Sequence, residues 1–374
     1  MEYLTLKDIA LINMGQSPDS KTYNEEKEGI PFYQGKSDFG KINPIPRVWC
    51  SNPIKIAEKD DILISVRAPI GDTNIATEKC CIGRGLASIR PLNENINKKY
   101  LYYLLNSKYK ELNKFGTGST FKAITKENLC NLKCAEIPDI KEQIEVVKKL
   151  DNVSQIIEIK KKQLEKLSII IKSQFVEMFE NEKYPKKTLN EVTNKITDGS
   201  HNPPSGIEEN EGYMMLSSQN IINNSINYDN VRFLKKEDFE KENLRTNLNR
   251  GDVLLTIVGT VGRTAIITDE TNITLQRSVA VLKPTEEINS IYLVGVINSD
   301  DVIRQLTKGA KGVAQKGIYL NDIKKILIPL PPIELQNKFA DIVKQIDKQK
   351  FESVIKAEKE IEKIQKNIYY KWGR

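Results

Sequence analysis

The chain has 374 residues, 39% of them hydrophobic, with a formal net charge of +7, which gives room for about two or three domains and for solvated helices between them. No apolar run approaches the roughly 20 residues of a membrane span, and the acidic start Met1-Glu2-Tyr3-Leu4-Thr5-Leu6-Lys7-Asp8 is unlike a signal peptide, so a cytoplasmic protein with no membrane partner is expected. Five cysteines read as reduced thiols, their spacings and the single His201 do not make a zinc site, and the mild basic excess fits a nucleic-acid partner.

Residues 1–138 read as a mixed α/β or β-rich domain. Asp61 to Val66 is an apolar, β-branched strand and Leu86-Ala87-Ser88-Ile89 is another. Pro31, Gly35, Gly40, Pro44, Pro46, Pro53, Pro69 and Gly71 punctuate the rest. Lys98 to Leu112 predicts a helix with Leu101, Leu104, Leu105 and Leu112 on one side, ending in a polar loop from Phe115 to Lys122. Residues 139–183 change pattern. Leu150, Ile157, Leu164, Ile171 and Met178 recur every seven, with Val153 and Leu167 three further on, as in a coiled-coil seam with Lys160-Lys161-Lys162 outside. Residues 184–332 repeat the first plan, with the corresponding loop at Lys308 to Gly317. In residues 333–374, Val354, Ala357, Ile361, Ile364 and Ile368 step by three and four. Each of these helices would reach about 55 Å at a rise of about 1.5 Å per residue.

The repetition is detailed. Asp61-Ile62-Leu63-Ile64-Ser65-Val66, then Ile70-Gly71, is echoed by Asp252-Val253-Leu254-Leu255-Thr256-Ile257, then Val261-Gly262. Arg84-Gly85-Leu86-Ala87-Ser88-Ile89-Arg90-Pro91 is echoed by Arg277-Ser278-Val279-Ala280-Val281-Leu282-Lys283-Pro284. Tyr100-Leu101 returns as Tyr292-Leu293, Ile137-Pro138 as Ile328-Pro329, and Gln143 as Gln336. A period near 190 residues is far longer than the roughly 20–50 of a solenoid repeat. It is a duplicated globular domain plus helix, and a duplicated reader implies a target with two parts. The fold class expected is α+β: two pseudo-symmetric mixed α/β recognition domains separated by two long helices that form an antiparallel coiled coil. Each helix packing only on its own domain is the plainer alternative.

At this point the pattern resembles a known family. Gly251 to Gly262 with Gln276-Arg277-Ser278-Val279-Ala280, the loop Asp198-Gly199-Ser200-His201 before Pro203-Pro204, and the junction Ile328-Pro329-Leu330-Pro331-Pro332-Ile333-Glu334-Leu335-Gln336 are similar to the specificity subunit of type I restriction-modification enzymes. The first domain matches more loosely: its junction Glu136 to Gln143 lacks the Leu-Pro-Pro of the second. The resemblance implies two target recognition domains alternating with two helical spacers, no catalysis and no cofactor in the chain itself, and an asymmetric bipartite double-stranded DNA target. It also implies two methyltransferase subunits, which bring S-adenosylmethionine for adenine N6 methylation, and motor-nuclease subunits bringing ATP and Mg. A methylation-only system, or a fused nuclease-methyltransferase served by a similar subunit, is the alternative.

Two rivals come from other classes. Asn202-Pro203-Pro204-Ser205 is close to the motif with which amino-methyltransferases grip a flipped base, but such a base needs an aromatic ring to stack on and Ser205 offers none. Phe115-Gly116-Thr117-Gly118 ends a helical stretch, where a cofactor loop should follow a strand and open a helix. A plain protein scaffold is disfavoured by Arg, Lys, Ser, Thr and Gln in glycine-rich loops at matching places of both copies, the side-chain types that read base edges.

Two domains that read different half-sites should share phosphate contacts and differ in base contacts. Arg84 and Arg277 are therefore phosphate or fold-stabilising candidates. The divergent pairs are base-reading candidates: Arg67 against Val258, Asp72 against Arg263, and Ser119, Phe121 and Lys122 against Lys311, Gln315 and Lys316. Lys36, Ser37, Gln219 and Asn220 follow matching apolar runs and are weaker candidates, and His201 joins them through the entry loop. Ile156, Ile159, Ile170, Phe175, Phe179, Ile355 and Tyr369 lie beyond the seam; they either receive methyltransferase helices or finish packing against the neighbouring domain.

Overall fold

The structure, a computed structural model, describes residues 4–116, 122–134, 136–180, 183–208, 212–268, 272–309 and 317–372, without the side chains of residues 363 and 365–372. Two compact units emerge: Met1–Glu158 with Glu358–Arg374, and Ile159–Ala357.

In the first unit a four-stranded antiparallel sheet runs in the order Ala10–Met14, Leu86–Pro91, Ile62–Ser65, Thr73–Ile75. The strand Ile62–Ser65 is buried throughout because each of its faces meets a different core. Ile62 and Ile64 pack with Leu101, Leu105, Leu112 and Leu129 from helices, while Leu63 packs with Leu86 of its own sheet and with Tyr33 and Ile82 of a second layer. Side chains alternate sides along a strand, so a run buried on both faces is apolar without alternation. The second layer is a five-stranded sheet containing Ile30–Tyr33, which pairs in parallel with Cys80–Ile82.

The second unit repeats this. Its sheet runs Thr193–Asp198, Val279–Pro284, Val253–Thr256, Thr264–Ile266. The register is the same: Ile62 faces Ile75 and Ile89, and Val253 faces Ile266 and Leu282. Val253 and Leu255 face helices, whereas Leu254 joins Leu216, Ile221 and Leu275. Met214–Leu216 pairs in parallel with Ile273–Leu275, as its counterpart does in the first unit. The copies differ at the edge of this layer, where the second unit carries a separate hairpin, Ile221–Ile222 with Ser225–Ile226.

The helix expected over Lys98–Leu112 is two helices, Lys98–Ser107 and Tyr109–Phe115. Between them Lys108 donates to the carbonyl of Leu105 and Ser107 Oγ to that of Leu104, which tightens the turn and ends the first helix. The two long helices are Ile140–Phe175, continued by a wider π turn to Glu180, and Ile333–Trp372. In the first, Leu150, Val153, Leu164, Leu167 and Ile171 are at least half-buried, but Ile157 is 48% exposed and Ile156 turns inward instead. An α-helix of about 3.6 residues per turn drifts from a strict seven-residue ladder. In the second, Val354, Ala357, Ile361 and Ile364 are covered as the steps of three and four predict.

Phe175 and Phe179 are corrections. They are 4% and 2% exposed, with ring centroids 5.9 and 4.8 Å from Tyr292 and 5.5 and 5.6 Å from Phe339. They finish the core of the second unit and offer no surface to a partner. Ile159 and Ile170 are exposed, at 55% and 46%, Ile156 and Ile355 are intermediate, and the Tyr369 side chain lies outside the described residues.

The duplicated glutamine joins each long helix to its domain. Gln143, in the first turn of Ile140–Phe175, accepts from Asn97 N at 2.7 Å and donates to the carbonyls of Asn95 and Pro138, both at 2.8 Å. Gln336 accepts from Asn289 N at 2.9 Å and donates to those of Glu287 and Pro331 at 3.1 and 2.8 Å. Asn97 and Asn289 are themselves N-caps, of Lys98–Ser107 and Ser290–Ile297. Each long helix thus grips the first turn of a domain helix through one fully buried amide.

Candidate nucleic-acid interface

The loop after the central strand has the same hydrogen-bond frame in both units, although its tip differs: Ala68-Pro69 is a cis peptide in the first and Gly259 has φ of +81° in the second. Ser65 N donates to Asp72 O at 2.9 Å and Gly71 N to Ser65 O at 2.9 Å; Thr256 N donates to Arg263 O at 2.8 Å and Gly262 N to Thr256 O at 2.9 Å. A hydroxyl clips the turn: Ser65 Oγ accepts from Asp72 N at 3.0 Å and donates to Pro69 O at 2.7 Å. Thr256 Oγ1 does the same with Arg263 N and Thr260 O. Gly71 and Gly262 have φ of +89° and +99°, a region that disfavours any side chain. The outer side of the loop is held as well, since Ile124 N donates to Val66 O and Ile318 N to Ile257 O, at 2.9 and 3.0 Å. What the backbone holds out then differs: Arg67, Ala68 and Pro69 are exposed in one copy, and Val258, half-buried, stands beside Gly259 and Thr260 in the other.

In the first unit this loop borders a small polar cleft of about 220 Å³ lined by Gln34, Gly35, Lys36, Arg67, Ala68, Arg84 and Gly85. Lys122 sits at its edge, its carbonyl accepting from Ala68 N at 3.0 Å. Five residues chosen from sequence thereby converge: Lys36, Arg67, Asp72, Arg84 and Lys122. Lys36 Nζ lies 2.8 Å from Asp72 Oδ2, an ion-pair distance off the hydrogen-bond direction, and that oxygen is shielded from solvent with no hydrogen-bond donor. Asp72 is therefore engaged by Lys36.

In the second unit Ser218 and Gln219 stand in the turn that holds Lys36 and Ser37 in the first, and Ser218 N donates to Ser278 Oγ at 3.0 Å. Arg263 and Arg277 are exposed. Among the described residues, none of Arg67, Arg84, Arg263 and Arg277 makes an ion pair, so the fold-stabilising pair weighed for Arg84 and Arg277 is absent there. That role falls to Asp61 with Arg90, at 2.6 and 2.9 Å, and to Asp252 with Lys283, which the sequence echo contained without marking.

Asn220 is a correction. It is 4% exposed; its Oδ1 accepts from Ser217 N and Oγ, and its Nδ2 donates to the carbonyls of Asn227 and Asp229. The amide is spent on its own turn, as the carboxylate of Asp38 is on Gln34 N and Gly35 N. Gln219 and Ser37 remain exposed. His201 is exposed on one side and its Nε2 lies 3.0 Å from the carboxylate of Asp198, which also holds Arg245. Ser119, Phe121, Lys311, Gln315 and Lys316 lie outside the described residues.

Sequence reasoning missed the clip residues Ser65 and Thr256, although a hydroxyl at the same place in both copies was their signal. It also missed Gly15 and Gly199, where an added Cβ would fall 2.2 Å from Gly83 O and 2.0 Å from Leu275 O. No group of three or more His, Cys, Asp or Glu among the described residues is placed to hold a metal ion, and no helix there is long and apolar enough to cross a membrane. A shallow groove of about 670 Å³ lies beside the second junction, between Tyr184, Leu330 and Ile333, with Lys187, Glu286 and Glu287 on its rim.

Comparison with known proteins agrees with this duplicated architecture. The type I restriction modification DNA specificity domain matches residues 1–168 and 181–363. The chain is 46% identical over 156 residues to the protein assigned as the MjaX type I restriction enzyme specificity subunit of Methanocaldococcus jannaschii, covering 42% of this chain and only 36% of that relative's length. It is 22% identical over 381 residues to the EcoBI specificity subunit of Escherichia coli, covering 92% of this chain and 78% of that one. A solved type I S subunit from M. genitalium shares the fold at a TM-score of 0.51 and 15% identity, over 98% of this chain and 94% of that one. Two matches of one specificity-domain model, on the two halves that carry the same clipped loop, settle the family: the chain belongs to the type I restriction-modification DNA specificity family.

Proposed function

We propose that this chain is the DNA-recognition subunit of a type I restriction-modification enzyme, binding an asymmetric two-part sequence with one half-site per unit. The observation that carries this reading is the pair of loops with one hydrogen-bond frame and different side chains, each beside exposed arginines without ion pairs among the described residues. A shared frame suits phosphate contact, which is sequence-independent, and the divergent tips suit base contact. The chain performs no chemistry itself. Two methyltransferase subunits, bound pseudo-symmetrically, bring S-adenosylmethionine for adenine N6 methylation, and motor-nuclease subunits with ATP and Mg complete the restriction enzyme.

The long helices are spacers that pair antiparallel, so that their length sets the gap between half-sites. The covered steps at Val354, Ala357, Ile361 and Ile364 and the glutamine junctions support this, because a spacer measures distance only if its ends are fixed to the readers. Of the apolar residues beyond the seam, the exposed Ile159 and Ile170 are offered to the methyltransferase. Recognition is tested by binding of the assembled methyltransferase complex to DNA libraries randomised around a variable gap. Enrichment of one gapped motif supports it, and binding that ignores sequence refutes it.

A further inference from the structure

The duplicated loop allows its tip residues to be read against each other. Arg67 and Val258 occupy one register position: Arg67 is bridged antiparallel to Ala123 and Val258 to Gly317. Their neighbours are anchored alike, with Val66 N donating to Gly85 O and Ile257 N to Ser278 O, both at 2.9 Å. The backbone behind the tip is held at both ends by the hydroxyl clip. A side chain that specifies a base must stand on such a pre-set frame, and a position that sets the difference between two half-sites must itself differ between the copies. Arg84 and Arg277 stand on the same frame without differing, so they cannot distinguish the half-sites.

We infer that position 67 in the first unit and position 258 in the second are paired specificity determinants, Arg67 reading a guanine and Val258 a thymine methyl. This rests on the DNA-recognition reading above and adds the base class. The guanidinium fork of Arg67 matches the O6 and N7 acceptors of guanine in the major groove, while an apolar tip meets only the methyl of thymine. Arg67 is exposed, lines the cleft with Arg84 and Lys36, and has no carboxylate partner among the described residues. The nearest acid on its loop, Asp72, is already engaged by Lys36 at 2.8 Å. Val258 leans partly on the core of its unit and presents methyl groups alone.

The test uses the full chain assembled with its methyltransferase subunits and binding to randomised gapped DNA, for wild type, Arg67→Gln, Val258→Arg and Arg84→Gln. Arg67→Gln is expected to change one position of one half-site from guanine to adenine, since Gln pairs with adenine N6 and N7, by roughly tenfold or more in preference. Val258→Arg is expected to gain a guanine at the matching position of the other half-site, a gain that a misfolded protein could not show. Arg84→Gln is expected to weaken all sequences alike. Uniform weakening by Arg67→Gln, or unchanged motifs with both tip variants, would overturn the assignment while a wild-type motif keeps the recognition function standing. A wild-type complex that selects no motif would overturn that function and this inference with it.

Discussion

Replacing Gln336 by methionine, which nearly keeps its volume, removes three hydrogen bonds from a side chain with no solvent exposure. A hydrogen bond contributes a net ~1 kcal/mol, and a buried polar group left without a partner costs ~1–3 kcal/mol. The Pro331 carbonyl bond is fully buried, and the Asn289 and Glu287 bonds are partly so. The expected loss is therefore about 3–5 kcal/mol, concentrated where Asn289 caps Ser290–Ile297. Two units need not unfold in one transition, so the suitable assay is amide hydrogen exchange read segment by segment. Protection of Ser290–Ile297 should fall by roughly a hundredfold or more, at about 1.4 kcal/mol per factor of ten. Gln143→Met should do the same to Lys98–Ser107 and leave Ser290–Ile297 unchanged. A loss of protection under about fivefold, or one spread evenly over both units, would refute the junction as the clamp between spacer and reader.

Ser65→Ala removes the acceptor for Asp72 N and the donor to Pro69 O; a loosening of about 1–2 kcal/mol is expected, seen as faster exchange of the Asp72 amide and weaker selectivity for one half-site only. Arg84→Gln combined with Arg277→Gln should lower the slope of log K against log salt by about 2, near 0.9 per phosphate contact on duplex DNA; an unchanged slope would remove both from the phosphate contacts. Burial pushes the thiols of Cys81 and Cys134 up to about 11 and that of Cys80 up to about 12, so less of the reactive thiolate is present at any pH below those values. Of the five thiols, the half-exposed Cys130 should react first with a disulfide reagent in the native chain, all five reacting only after denaturation; early labelling of Cys80 or Cys81 would contradict the burial. Four residues inserted in the exposed middle of Ile140–Phe175 should lengthen the recognised gap by about 6 Å at ~1.5 Å per residue, close to two base pairs at about 3.4 Å each. A gap that does not change would rule out the spacer role.

Much of the fold was legible because the chain states it twice. A strand apolar on both faces, such as Ile62–Ser65, is recognisable from one copy, and the second copy at Val253–Thr256 separates frame from ornament. The glutamine junction was visible as an echo, although its hydrogen bonds were not. Misreadings came where local pattern yields to packing. Phe175 and Phe179 looked like outer faces of a coiled coil, yet Tyr292 and Phe339, more than a hundred residues away in sequence, close over them. Asn220 looked like a base reader because short polar side chains do both jobs; whether an amide turns back onto its own backbone depends on where Asn227 and Asp229 place their carbonyls. The clip hydroxyls were hidden inside a strand pattern, where Ser and Thr read simply as tolerated residues.

The central claim, that each unit reads one half of a two-part DNA target, is tested most directly by methylome sequencing of cells that carry this chain with its methyltransferase, alongside a variant whose residues 184–332 come from a relative of different specificity. A gapped motif with N6-methyladenine in each half is expected, with the exchange changing one half and leaving the other half and the gap intact. Methylation that changes in both halves, or a motif without a gap, would contradict it.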